Sequence, residues 1–167
     1  LGFTTPQLNR DLDYGGGTVA NQIAHLESCG YFSNAVTDKN LLRKLARHDD
    51  DSYSVEYRAR SYLQANCAMC HVPGGNSGAL WDGNIFTSLF DTNIINGPLL
   101  TPTTDSADRV VVPADTVHSM ILNRMSLRGT SQMPPLASNL IDSNGVALIT
   151  DWINALAGYQ SFEVWQI

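Results

Sequence analysis

The chain has 167 residues, of which 43% are hydrophobic and 16% charged, enough apolar material for one folded core and too little for a membrane protein. No run approaches the apolar length of a transmembrane helix. A formal charge of −6 and a pI near 4.9 argue against nucleic acid as a partner.

The start, Leu1-Gly2-Phe3-Thr4-Thr5-Pro6, has neither a basic nor an apolar signal-like stretch. After Gly15-Gly16-Gly17, the spacing of Val19, Ile23 and Leu26 predicts one short helix over 18–29. Gly30 would close it, leaving Cys29 as a buried, unreacted thiol. Residues 32–51 read as a connecting segment, so 1–51 form an N-terminal extension that packs on, or links to, a domain over 52–167.

Ser54 can cap a helix in which Val55, Ala59, Tyr62 and Leu63 share one face. That helix delivers Cys67-Ala68-Met69-Cys70-His71, a C-x-x-C-H run. Two cysteines one helical turn apart can each form a thioether to one of the two vinyl groups of a haem, while the adjacent histidine brings its imidazole under the iron. Zinc would require a second ligand pair, which Cys29 does not complete. A thioredoxin-like dithiol would open a helix after a strand, whereas these cysteines close one. Covalent haem attachment therefore leads.

Residues 72–108 are rich in Gly, Asn, Thr and Pro, and so long a loop is expected to wrap something, here the haem. Arg109-Val110-Val111-Val112-Pro113 reads as extended. Asp115 then caps a helix carrying Val117, Met120, Ile121 and Met125 and ending near Gly129. The last helix begins after Asp142 or Ser143 and turns Val146, Ile149, Trp152, Ile153 and Leu156 inward.

Haem iron held by a histidine behaves according to its sixth position: a methionine raises the potential and blocks small ligands, and an open site invites them. Met133 is the candidate, since Pro134 and Pro135 disfavour helix before them and present it from a loop. Met125, Met120, His118 and an open site are the alternatives, and Met69 reads as cover for the haem edge. Trp81, Arg109, Arg124 and Arg128 are candidate donors to the haem propionates.

With the haem motif, the Met-Pro-Pro loop and a closing Trp-bearing helix in this order, residues 54–156 resemble a class I-type bacterial cytochrome c domain. Residues 59–75, Val112-Pro113-Ala114-Asp115 and Arg124-Met125-Ser126-Leu127-Arg128-Gly129 are similar to the subgroup that ends exported, propeller-bearing proteins resembling sugar or sorbosone dehydrogenases. Gln7-Leu8-Asn9-Arg10 and residues 21–32 are similar to the segment before that domain. The resemblance implies a mainly α, cytochrome c-like helical fold around one covalently bound haem c, with long haem-wrapping loops. It implies Cys67 and Cys70 as attachment points, His71 as proximal and Met133 as distal ligand, and first and last helices that cross with Trp152 facing Ala59 and Tyr62. The implied role is electron transfer between a dehydrogenase domain or partner and a downstream acceptor, not catalysis. Acidic residues would steer a basic redox partner. The implied location is periplasmic or otherwise exported from a bacterium, with a leader or upstream domain removed. A five-coordinate or methionine-displaceable haem, serving as a ligand sensor or peroxidase-like enzyme, is the rival reading.

Overall fold

A computed structural model describes residues 3–136 and 138–159. The chain divides into two units, Leu1–Ala46 and Arg47–Ile167.

In the first unit, helix α1 (Thr5–Leu8) precedes an antiparallel hairpin of β1 (Asp11–Asp13) and β2 (Val19–Asn21), with Asp11 opposite Asn21. Helix α2 (Gln22–Ser28) follows directly. The expected helix over 18–29 is thus corrected at its front. Gly15, Gly16 and Gly17 all take positive φ and reverse the chain, and the Asn21 side chain accepts from the N–H groups of Ile23 and Ala24, which starts the helix there. Asn9 ties the unit together by donating to the Leu42 carbonyl at 2.8 Å and accepting from the Asn21 amide at 2.9 Å. Cys29, expected to be buried, is exposed, because α2 buries only Ile23.

In the second unit, α3 (Val55–Asn66) begins where Ser54 Oγ accepts from the Tyr57 N–H. Its Ala59 and Leu63 are fully buried. Helix α5 (Ser143–Ala155) starts from Asp142, whose carboxylate accepts from the Gly145 N–H, and packs against α3 with Ile149, Trp152 and Ile153 inward. Ile94, Val110, Val111, Ile121, Leu122 and Met125 complete this core. Burying such side chains contributes roughly 1.5–3 kcal/mol each, which is what holds loop-borne residues such as Ile94 in place.

Between α3 and α4 (Met120–Met125) lies a long, largely irregular stretch with one 3-10 turn at Leu89–Thr92 and isolated bridges joining Ile95 to Val111 and Arg109 to Ser119. The polar side of α3 pins it: Arg60 donates to the carbonyls of Asn84 and Thr87, and Gln64 accepts from the Ile85 N–H at 2.8 Å.

Helix α4 is shorter than expected. The Asp115 carboxylate accepts from the N–H groups of Val117 and His118, closing a turn instead of opening a helix, and Val117 is exposed. These shortfalls overturn the expected mainly α, cytochrome c-like fold class: the chain is 31% helical, with five helices and a short two-stranded sheet among the described residues. Among the described residues no helix is long and apolar enough to cross a membrane.

Candidate functional site

Cys67 is the C-cap of α3, and its N–H bonds the Leu63 carbonyl at 2.8 Å. The chain then winds on through one further turn, in which the Cys67 carbonyl accepts from the Cys70 N–H at 3.0 Å and from the His71 N–H at 2.9 Å. Ser77 Oγ donates to the Cys70 carbonyl, and the Gly83 N–H to that of His71 at 2.7 Å, so the motif is fixed from both flanks. Gly75 is required here, since a Cβ would collide with the Cys70 carbonyl.

Cys67 leans on the hydrophobic core, and burial, with Cys70 beside it, pushes its thiol up to about 12. Both motif thiols are free. His71 stacks on Trp81, ring centroids 4.2 Å apart at 23°. Burial, reinforced by the Arg124 charge, lowers the His71 pKa, which favours a neutral imidazole able to act as a ligand, and its Nδ1 is buried without a partner.

Met133 stands in a cleft of about 470 Å³, within the range of roughly 300–1,000 Å³ usual for cofactor and ligand sites. Tyr62, Asn66, Met125 and Arg128 share its lining. The Met133 N–H bonds the Arg124 carbonyl at 3.0 Å, and Gln132 holds the loop by donating to Ser138 Oγ and accepting from the Gly129 N–H. The Met133–Pro134 peptide is cis.

The expected site residues are brought together only in part, with Arg124 accepting from the Met133 N–H through its carbonyl and acting on His71 through its charge. Met133 and Arg128 line the cleft; Cys67, Cys70 and His71 do not, although Asn66 and Tyr62 bring the end of α3 to its wall. Trp81 packs on His71. Arg109 lies apart, its Nη1 donating to the carbonyls of Ser106 and Asp108. Arg128 donates to the carbonyls of Met125, Leu127 and Leu140, and its Nε is buried without a partner. Among the alternatives for the iron, Met125 is buried on the cleft wall, whereas His118 is bound to Asp115 and Asp105. Met69 is exposed.

The residues fit a covalently held haem in three respects. Two free thiols stand at attachment spacing on a fixed turn, an imidazole with an orphaned nitrogen follows them, and a thioether lines a cofactor-sized cleft beside an arginine with an orphaned Nε. Asp105, Asp108 and His118 also converge, in a cluster that motif and periodicity reading passes over because its members are spread along a loop.

No protein-family model, no curated protein and no solved structure matches the chain.

Proposed function

We propose that this chain is a single-electron carrier holding one haem c through thioethers to Cys67 and Cys70, with His71 and Met133 as axial ligands. The observation that carries the reading is the C-x-x-C-H run held on the fixed turn that ends α3, with a half-buried imidazole at its last position. The haem supplies the ferric/ferrous couple.

The protein's own contribution is restraint. Trp81 backs the His71 ring, the hydrogen bonds of Gln132 to Gly129 and Ser138 hold the loop that carries Met133, and Arg128 offers a cation at the cleft wall toward a propionate. Rigid ligands limit reorganisation when one electron enters or leaves. The surface near Ala68 and the exposed Met69 is the port toward a redox partner or an attached dehydrogenase domain. Because haem is attached to such motifs outside the cytoplasmic membrane, the reading carries with it a periplasmic or otherwise exported location.

The test is optical spectroscopy of the purified protein, ferric and ferrous, with carbon monoxide added to the latter, beside Met133→Ala. A c-type ferrous spectrum indifferent to carbon monoxide, with sulfur-to-iron absorption lost in the variant, supports the reading. Ready carbon monoxide binding by the unmodified protein refutes methionine ligation and favours a ligand-binding haem. Absence of any covalently bound haem refutes the proposal outright.

A further inference from the structure

We infer that Asp105, Asp108 and His118 form a binding site for a divalent transition-metal ion, with Asp115 as the residue that positions the histidine. The site is separate from the motif at Cys67–His71. One ligand atom from each of the three side chains lies within 4.8 Å of the others. Two carboxylates and an imidazole nitrogen that converge this closely form a donor set suited to zinc, whose tetrahedral sites take His nitrogen at roughly 2.0–2.1 Å and carboxylate oxygen at roughly 2.0–2.2 Å, with water in the fourth position. Calcium and magnesium prefer all-oxygen sites, so the nitrogen selects against them.

The imidazole is aimed. His118 Nδ1 lies 2.6 Å from Asp115 Oδ2, an arrangement that leaves Nε2, 3.5 Å from Asp105 Oδ2, as the ligating nitrogen. A carboxylate on the far nitrogen is the usual companion of a metal-bound histidine, fixing its tautomer and raising its basicity. Asp115 is not one of the three converging groups, so its placement is an observation beyond the cluster itself.

The scaffold is also fixed. The Arg109 N–H bonds the His118 carbonyl at 3.0 Å and the Met120 N–H bonds the Arg109 carbonyl at 2.9 Å, locking the segment that carries Asp108 to the one that carries His118. Thr103 Oγ1 donates to Asp108 Oδ2, orienting the second carboxylate. The fully buried Ser119 hydroxyl donates to the Asp115 carbonyl at 2.6 Å and accepts from the Val112 N–H, anchoring the turn from the core.

The experiment is calorimetric titration of Zn²⁺ into the purified full chain, Asp105→Asn, His118→Gln and Asp115→Asn, with zinc K-edge absorption on the wild-type complex. One binding event per chain is expected, with a nitrogen and oxygen shell. Asp105→Asn and His118→Gln should each weaken it at least tenfold, and Asp115→Asn by about 10–100-fold. Asp105 is exposed, so its variant keeps the fold even if the others do not. No zinc binding, equal binding by wild type and Asp105→Asn, or a sulfur-containing shell that puts the ion on cysteines would each overturn the inference.

Discussion

The His71 imidazole and the Trp81 indole lie nearly parallel, their centroids 4.2 Å apart, so that one face of the motif histidine is covered by a residue ten positions on. This contact joins the start of the long loop to the turn that follows α3. Such an aromatic pair is worth about 0.5–1.5 kcal/mol beyond the area it buries. Trp81→Ala should lower stability by at least that amount and Trp81→Phe by less, measured by chemical denaturation. In the haem-free chain Trp81→Ala should also move the His71 pKa up toward 6.5 as the ring becomes hydrated, read from its imidazole resonances.

The three cysteines differ in accessibility, which gives a chemical test of attachment. Cys29 is exposed, whereas burial holds the Cys67 thiol at about 12, far from its reactive thiolate. In the native protein an alkylating reagent should therefore modify Cys29 and spare Cys67. After denaturation without reductant, a chain carrying thioether-linked haem should bear one label in all, on Cys29, while a haem-free chain should bear three. Mass spectrometry counts the labels, and three labels would refute covalent attachment.

Helices α3 and α5 were readable in the sequence because each is specified locally: Ser54 and Asp142 cap them, and Ala59, Leu63, Ile149, Trp152 and Ile153 repeat at helical spacing. The C-x-x-C-H motif was readable for the same reason, as five consecutive residues. The β1–β2 hairpin was not, since three residues from Asp11 pair with three from Val19 across a glycine turn that periodicity treats as a helix start. Nor was the end of the turn before α4, where the Asp115 carboxylate binds the His118 ring as well as two backbone N–H groups. Asp105, Asp108 and His118 meet through the Arg109–Ser119 bridge, a non-local pairing with no sequence period to betray it.

Tyr62, Asp142 and Gly145 form a joint between α3 and α5. The Tyr62 hydroxyl donates to Asp142 Oδ2 at 3.0 Å, while Asp142 Oδ1 caps the Gly145 N–H at 3.1 Å. Burial, with the Asp142 charge adjacent, pushes the Tyr62 pKa well up, so it remains a donor across the accessible pH range. A Cβ at position 145 would overlap the Tyr62 ring. Gly145→Ala should therefore cost about 1–3 kcal/mol despite alanine's better helix propensity. Tyr62→Phe, which removes only the hydroxyl, should cost about 0.5–1.5 kcal/mol. Urea unfolding of both variants checks the order.

His118 and Asp115 make stability depend on pH in a defined window. The hydrogen bond that His118 donates to Asp115, with the surrounding carboxylates of Asp115, Asp105 and Asp108, raises the His118 pKa above 6.5. The same bond is the main cause that lowers the Asp115 pKa below 3.8. A raised histidine contributes fully below its unfolded value and loses that contribution as pH climbs through its folded value. A depressed carboxylate contributes fully above its unfolded value and loses it as pH falls through its folded value. The pair is therefore at full strength between pH 3.8 and 6.5. With chelator present to exclude metal ions, the thermal midpoint of the native chain should exceed that of His118→Gln most in this window. The difference should shrink toward alkaline pH as the imidazolium deprotonates. A difference that stays flat through that range would show that the histidine is held by packing alone. In Asp115→Asn the imidazole should titrate closer to 6.5, and added Zn²⁺ should abolish the alkaline loss in the native chain by replacing the proton.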